Sequence, residues 1–251
     1  MRPRVFIVGA GPGDPELLTL KAARLLRAAD VVLHDALVGA GILALAAQAR
    51  RVDVGKRARQ PSTAQRFINR ALIVAARRFA CVVRLKGGDP AIFGRLDEEI
   101  AALRAAAIPF EIVPGVTAAC AAAASLQASL TQRGVARGVR LATLRQAQDA
   151  PACGHEAGDT VAIYMAGHQV AETAARLLDD GQCRATPLVL VEAAGTPQER
   201  HWIGTLGDAA TLASSHARES GDGPVILLAG KALAHVLRRS AEAGPTERAV
   251  A

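Results

Sequence analysis

A chain of 251 residues, of which 51% are apolar and 21% charged, has a globular composition and can form one large domain or two of ordinary size. The formal net charge of +7 favours anionic partners, but the basic residues are spread along the chain and only 3% of the residues are aromatic. Both features argue against a protein that binds nucleic acid through a basic cluster and stacked bases.

The cysteines and the apolar runs bear on metal binding and location. The cysteines stand singly, without the close cysteine or histidine spacing of a metal site, at Cys81, Cys120, Cys153 and Cys183. The amino-terminal apolar stretch is short and leads directly into glycines, unlike a signal peptide, and no apolar run is long enough to span a membrane. We therefore expect no metal ligation and a cytoplasmic protein.

Short β-branched runs alternate with helical patterns through the first half of the chain. The predicted strands are RVFIVG (4–9), DVVLHD (30–35), RRVDVG (50–55), CVVRLK (81–86) and FEIVPG (110–115). Helices are predicted between them over 15–29, 40–49, 63–79 and 94–107. This alternation is typical of βα units around a mainly parallel sheet. We predict a first α/β domain over 1–133, because the polar segment TQRGVARG interrupts the pattern around Arg133.

The second half has more strands and fewer long helices. Predicted strands are VRLATLR (139–145), TVAIYMAG (160–167), PLVLVEAAG (187–195), RHWIGTLG (200–207) and PVILLAG (224–230). The segment EAAGTPQERHWIGTLG predicts two antiparallel strands joined by a turn, so a second α/β domain with a mixed sheet is expected over 134–239. Residues 240–251 lack periodicity and are predicted to be a flexible tail. A cleft between two such domains is a common location for a ligand.

The opening segment, VFIVGAGPGDPELLTL, carries closely spaced glycines after a predicted strand. Gly9 and Gly11 fit a dinucleotide fingerprint, but the third glycine position is occupied by Asp14, whose charge would repel a pyrophosphate. The segment also lacks the Gly-Lys-Ser or Gly-Lys-Thr end of a phosphate-binding P-loop. Two interpretations stay open here: a ligand less anionic than a nucleotide phosphate, or a tight strand-to-helix turn without a ligand.

Two further motifs point to a family. The segment VVRLKGGDPAIFGRLDEEI (82–100) has adjacent glycines at the predicted carboxyl end of a strand, and VPGVTAACAAAA (113–124) repeats a strand-to-glycine turn. With the opening loop and ADVVLHDALV (29–38), these motifs resemble the tetrapyrrole methylase family from Val5 to about Leu237. The resemblance implies a two-domain α/β fold with the active site in the interdomain cleft, S-adenosylmethionine as methyl donor, and a homodimer.

The resemblance also implies roles for individual residues. The positions that match the family's donor-binding segments are Pro12, Gly87, Gly88, Asp89, Ile92, Thr117, Ala118, Met165 and Ala194. Asp35 matches the family's proposed proton acceptor, although its position would also suit a helix cap. Lys56 matches a lysine with a proton-handling or substrate-binding role, and an exposed surface lysine is the alternative.

Within the family, the motifs are most similar to those of enzymes that methylate uroporphyrinogen III twice, at C2 and C7, to give precorrin-2 for sirohaem, cobalamin or haem d1. That substrate is a polycarboxylate, so basic side chains near strand ends or motif turns are candidates to bind it. The candidates are Arg57, Arg59, Arg84, Lys86 and Arg133.

Several positions depart from the family pattern, and they fall on the acceptor side. Ala36 stands where an arginine is usual, Leu96 and Asp97 replace two glycines, and Gln132 replaces a histidine. The alternatives within the family are therefore another tetrapyrrole substrate, such as a precorrin, or a weakened paralogue. Outside it, a nicotinamide-dependent dehydrogenase would share the α/β pattern, but it would not account for Asp14 or for the KGGDP segment.

Overall fold

The computed structural model describes residues 5–55, 63–143, 158–167, 169–221 and 223–242. The chain divides into two units, Met1–Thr117 and Ala118–Ala251, which are called here the first and second units. The division lies ahead of the predicted boundary near Arg133, because the helix after Thr117 packs on a strand of the second unit. Among the described residues, no helix has both the length and the apolar character that crossing a membrane takes.

The first unit is built on a parallel sheet whose strands confirm the predicted ones. These are β1 (Val5–Gly9), β2 (Val31–His34), β3 (Arg50–Asp53), β4 (Val82–Lys86) and β5 (Phe110–Val113). The strand order is β3-β2-β4-β1-β5, and every neighbouring pair is parallel. All five strands therefore end at the same edge of the sheet, where open α/β sheets bind ligands.

Helices cover both faces of this sheet. They are α1 (Leu20–Ala28), α2 (Ala40–Ala44), α3 (Thr63–Arg78) and α4 (Leu96–Ala105). Asp14 caps a short 3-10 turn, Pro15–Leu17, and α1 starts only after Thr19, whose hydroxyl accepts from Ala22 N at 3.1 Å. Successive strand residues point to opposite faces, so Val8 and Ile7 contribute to two separate buried clusters.

The second unit contains a mixed sheet, as its strand pattern predicts. It comprises α5 (Ala118–Ser125), β6 (Val139–Thr143), β7 (Thr160–Tyr164), α6 (Val170–Asp179), β8 (Pro187–Glu192), β9 (Arg200–Thr205), α7 (Ala209–Glu219), β10 (Val225–Ala229) and α8 (Ala234–Glu242). The strand order is β6-β7-β10-β8-β9, with β6 and β7 parallel and the other pairs antiparallel. The β8–β9 pair confirms the predicted hairpin. Helix α8 includes residues 240–242 of the segment predicted as a tail.

Candidate active site

Three loops of the first unit meet where β4, β1 and β5 end. Gly11 N donates to Gly88 O at 3.2 Å and Gly88 N donates to Gly11 O at 2.7 Å, so the β1 and β4 loops form a two-bond bridge. Ala10 N also donates to Lys86 O at 2.7 Å. The glycine-rich opening segment is therefore held against the KGGDP segment through main-chain hydrogen bonds.

The close approach of these loops requires residues without side chains. A Cβ added at Gly115 would lie 2.4 Å from Gly88 O and 2.9 Å from the Cα of Gly9. Gly88 has a φ of +65°, and a Cβ added there would have no atom within 4 Å. Gly9, Gly88 and Gly115 thus pack through bare backbone, and on the open side of Gly88 main-chain groups can approach a ligand. We call this contact of Gly9, Gly11, Gly88 and Gly115 the loop junction.

Asp89 ties two of these loops together. One of its carboxylate oxygens accepts from Ala91 N at 2.8 Å and the other from Gly115 N at 3.0 Å. The predicted donor-binding residues Pro12 and Ile92 are half-buried nearby in the chain, and Ile92 N donates to Asp89 O at 3.2 Å. Asp89 therefore adds a carboxylate beside the main-chain groups of the loop junction, which suits a ligand with cationic groups better than a phosphate.

Asp35 follows β2 at the same edge of the sheet. Its N–H donates to Leu85 O at 3.2 Å, and its Oδ1 accepts from Arg84 Nη2 at 2.6 Å. The side chain is 30% exposed. Helix α2 begins after Gly39 and has no side-chain cap, so the alternative of Asp35 as the cap of that helix is wrong. A Cβ added at Gly87 would lie 3.7 Å from the Cβ of Leu37, which places the Asp35 loop beside the KGGDP segment.

A group of buried charged residues lies behind Asp35. Arg84 is 1% exposed and Glu99 is fully buried, and Arg84 Nε donates to Glu99 Oε1 at 2.9 Å. Lys86 Nζ donates to the same oxygen at 3.1 Å. We call Arg84, Lys86, Glu99 and Asp35 the buried charge network. Burial and the Arg84 charge lower the pKa of Lys86, whereas Asp35 and Glu99 outweigh the burial of Arg84 and raise the pKa of its guanidinium.

This arrangement overturns part of the arginine hypothesis. Arg84 and Lys86 are buried and bind protein carboxylates, so neither is free to bind a substrate carboxylate. Arg133 is exposed in the turn that links Gln132 to Ala136, and its substrate role stays a prediction. The remaining candidates, Lys56, Arg57 and Arg59, lie outside the described residues.

The second unit brings its own predicted residues to one edge of its sheet. Strands β7 and β8 run in the same direction on either side of β10, so Met165 and Ala194 follow strands that end together. Met165 has a φ of +60° and Ala193 a φ of +50°, a left-handed conformation that is rare outside glycine. At the start of α5, Ala119 N donates to the hydroxyl of Tyr164 at 3.4 Å, which places Ala118 near the end of β7. Thr117 is the last residue of the first unit.

Sequence patterns do not reveal one carboxylate at this edge. Glu199 accepts hydrogen bonds from Gly195 N and from His201 Nε2. Burial alone would raise the pKa of Glu199, but the hydrogen bonds from His201, Ser125 and Gly195 outweigh it and the pKa is lowered. Glu199 thereby fixes the turn that contains Ala194. No sequence motif identifies Glu199, because its contact with Gly195 depends on how the β8–β9 turn folds.

Comparisons with known proteins agree with this geometry. Residues 4–210 match the family model of Tetrapyrrole (Corrin/Porphyrin) Methylases. The chain is 44% identical to a uroporphyrinogen-III C-methyltransferase of Pseudomonas aeruginosa, over 92% of this chain and 94% of the relative. It is 42% identical to a siroheme synthase of a Psychrobacter species, of whose length it covers 47%.

Solved structures give the same result. A uroporphyrin-III C-methyl transferase from Thermus thermophilus, complexed with S-adenosyl homocysteine, has a TM-score of 0.78 and 38% identity, over 92% of this chain and 99% of the other. A cobalt precorrin-4 methyltransferase has the same TM-score, 0.78, and 28% identity, over 91% of this chain and 95% of the other.

Proposed function

The chain belongs to the tetrapyrrole methylase family, and from this membership we propose that it transfers methyl groups from S-adenosylmethionine to C2 and C7 of uroporphyrinogen III, giving precorrin-2. The observation that carries the proposal is the placement of Asp35. Its partly exposed carboxylate lies at the strand edge that also carries the loop junction. The chain is also 44% identical to a uroporphyrinogen-III C-methyltransferase.

The loop junction is suited to hold the donor. When bound, S-adenosylmethionine supplies an activated methyl group on a sulfonium sulfur. We propose that main-chain groups at Gly87 and Gly88 bind it in the first unit, where no Cβ obstructs approach, together with Pro12, Asp89 and Ile92. Thr117, the last residue of the first unit, is proposed as a further contact, and from the second unit we propose Ala118, Met165 and Ala194.

The chain's own residues have two tasks in the transfer. They hold the ring carbon at near-attack distance from the methyl group, which contributes up to about 7–11 kcal/mol in favourable cases. Each transfer would form one carbon–carbon bond as the donor's sulfur–methyl bond breaks, leaving S-adenosylhomocysteine, and would release one proton from the macrocycle, so a base is required. We assign that base to Asp35, whose Oδ1 is held by Arg84 and whose carboxylate is partly exposed. Lys56 stays a candidate for proton handling or substrate binding.

Asp35→Asn tests this assignment. The variant removes the base but keeps the size of the side chain, so it should bind S-adenosylmethionine like the parent in calorimetry. Turnover should fall by about 10²–10⁴-fold, the usual contribution of a positioned general base. The measurement is anaerobic transfer of a labelled methyl group to uroporphyrinogen III, with separation of singly and doubly methylated products.

Asp30→Asn is the matched control, because Asp30 precedes the same strand at its opposite end. Its carboxylate accepts from Ala80 N at 3.0 Å and from Cys81 N at 2.8 Å, away from the proposed site. This variant should turn over like the parent. Asp35→Asn with parental turnover would show that Asp35 is not the base, and absence of label from tetrapyrrole with the parent would reject the proposed acceptor.

The same assay addresses the alternative acceptor. Ala36, Leu96, Asp97 and Gln132 depart from the family pattern, and the cobalt precorrin-4 methyltransferase structure has the same fold. A parent that labels a precorrin but not uroporphyrinogen III would identify a family member with another acceptor. Failure to label either, with donor binding intact, would identify a weakened paralogue.

We also propose a cytoplasmic homodimer. Five large apolar side chains in the described part of the first unit are more than one-third exposed, and they include Leu20 at 92%, Phe67 at 64% and Val74 at 42%. Phe67 and Val74 lie seven residues apart on α3. Covering such side chains favours self-association. Sedimentation equilibrium should give twice the 26.0 kDa chain mass, and a monomer at all concentrations would reject the dimer.

A further inference from the structure

The buried charge network is an unusual feature of a sheet interior. Arg84 occupies the middle of β4, in register with Ile7 on one side and Leu33 on the other, both of which belong to the apolar core. It lies among apolar residues on the face of the sheet that α3 and α4 cover. A strand position of this kind normally takes valine, isoleucine or leucine.

Such a network is not explained by stability. Burying an ion pair costs desolvation that its attraction seldom exceeds, and apolar residues of similar size often serve as well or better. Glu99 Oε2 is in addition buried without a hydrogen-bond partner among the described residues, which adds to the cost. Three of the four members are at most 5% exposed in their side chains, and only Asp35 reaches the surface.

The guanidinium of Arg84 has a partner at each nitrogen. Nε donates to Glu99 Oε1 at 2.9 Å, Nη2 donates to Asp35 Oδ1 at 2.6 Å, and Nη1 donates to Leu85 O at 3.1 Å. The planar guanidinium therefore has one orientation, which Glu99 and the main chain determine from the interior. Lysine has a single nitrogen on a flexible stem and cannot bridge both carboxylates in this way.

We propose that Arg84 is a positioning residue for the methyl-transfer reaction: clamped by Glu99, it holds the Asp35 carboxylate in the orientation in which Asp35 takes the proton from the macrocycle. This inference rests on the proposed function and on the role assigned there to Asp35. It makes Arg84 and Glu99 act on the reaction only through Asp35, without contact with either substrate. Lys86 shares Glu99 Oε1 and supplies the second positive charge opposite the two carboxylates.

A double-mutant cycle on turnover tests this inference. The variants are Arg84→Lys, Asp35→Asn and the double variant, measured with the labelled methyl donor so that residual turnover is quantified. Arg84→Lys alone should lower kcat by about tenfold or more, a part of the ~10²–10⁴-fold that a positioned base contributes, with the KM of both substrates close to the parent's. In the Asp35→Asn background, Arg84→Lys should have no further effect, because the group it positions is already absent.

Two outcomes would overturn the inference. Parental kcat in Arg84→Lys would show that the bridge is not used. The same loss in both backgrounds, or a loss seen as raised KM, would show that Arg84 acts on the fold or on substrate binding and not through Asp35. Circular dichroism and donor affinity verify folding. If Arg84→Lys does not fold, Glu99→Gln replaces it in the cycle, with the same expectation.

The failure of this inference differs from the failure of the proposed function. A parent that methylates no tetrapyrrole rejects the function itself, and an Asp35→Asn variant with parental turnover rejects the base. The positioning role of Arg84 is rejected separately, when Asp35→Asn loses turnover but Arg84→Lys does not, or when their effects multiply.

Discussion

The two units form their candidate ligand-binding edges in different ways. In the first unit, loops from three parallel strands pack so closely that no side chain fits at Gly9 or Gly115, and a buried charge network lies behind the edge. In the second unit, the edge is formed by left-handed residues with side chains, Met165 and Ala193, and by one hydrogen-bonded carboxylate, Glu199. Close packing therefore restricts which residues fit at the first edge, and left-handed backbone conformation restricts which residues fit at the second.

This difference has opposite consequences for glycine in the two units. At Gly9 and Gly115 of the loop junction an added methyl group would clash with neighbouring backbone, so glycine-to-alanine changes there should destabilise the first unit. At Met165 the backbone favours glycine, so removing the side chain should stabilise the second unit. Both edges carry residues proposed to bind the same donor. For each substitution, the change in the free energy of unfolding can therefore be compared with the change in donor affinity.

The largest expected effect is that of Gly115→Ala. Its Cβ would lie 2.4 Å from Gly88 O, so the β4 and β5 loops must separate, at a cost of about 1–3 kcal/mol in the free energy of unfolding. The affinity for S-adenosylmethionine should fall as well. Urea denaturation and calorimetry measure these two quantities.

Gly87→Ala is the control for that variant. Its φ is not in the left-handed region, and its Cβ would meet only the Leu37 Cβ, at an ordinary 3.7 Å. Its free energy of unfolding should stay within about 0.5 kcal/mol of the parent's. Equal stabilities of the two variants would contradict the close packing of the loop junction.

An intermediate effect of opposite sign is expected for Met165→Gly. The side chain is 51% exposed and φ is +60°, so the change relieves a left-handed conformation with little loss of buried surface. We expect the free energy of unfolding to rise by about 1 kcal/mol. The donor affinity should fall, because Met165 is proposed to contact the donor.

Ala107→Gly is the matched control for Met165→Gly. Ala107 is exposed, has a φ of +52° and follows α4, where its N–H donates to Arg104 O at 3.0 Å. It should gain similar stability and keep the parental donor affinity. A loss of donor affinity in both variants, or in neither, would remove the argument for Met165 as a binding residue.

The smallest effect concerns Glu199→Gln and appears only as a dependence on pH. Because folding lowers the pKa of Glu199, its carboxylate stabilises the folded state above the ordinary pKa of 4.5, and this contribution is lost as the pH falls below that value. The parent should thus exceed the variant in stability at neutral pH, and the difference should shrink as the pH falls below 4.5. Urea denaturation at a series of pH values measures it.

Glu172→Gln serves as the control for the acid series. Glu172 pairs with Arg176 on the surface of α6, at 2.7 Å, and such i,i+4 pairs contribute only about 0.3–0.5 kcal/mol. A difference between the parent and Glu199→Gln that stays constant across the whole acid series would show that the carboxylate of Glu199 is not the stabilising group.

Much of the fold is predictable because its signals are local. Runs such as VFIVG and VVRLK are β-branched and short, and the alternation with amphipathic helices indicates a parallel sheet before any contact is known. The structure confirms these strands and the β8–β9 hairpin. The start of α1 is less predictable, since Asp14 caps a 3-10 turn and Thr19, further along the chain, caps the helix.

The site is predictable only in part. Motif resemblance selects Asp35 and the KGGDP segment, but it does not reveal that Arg84 is the partner of Asp35. Arg84 resembles any basic residue near a strand end, and its sequence context alone therefore suggests a substrate-binding role. The one signal against that role is its position, with apolar neighbours on both sides in a fully buried strand.

Periodicity and glycine spacing along the chain are enough to identify the strands, the helices and the family. These local patterns do not determine which residues the charged and glycine residues contact. Parallel pairing does so, because it brings together segments that are far apart in the chain: Asp35 with Arg84, and Gly9 with Gly88 and Gly115. Whether a charge is solvated or buried depends on which segments pack against it, and that is a property of the assembled sheet and its helices.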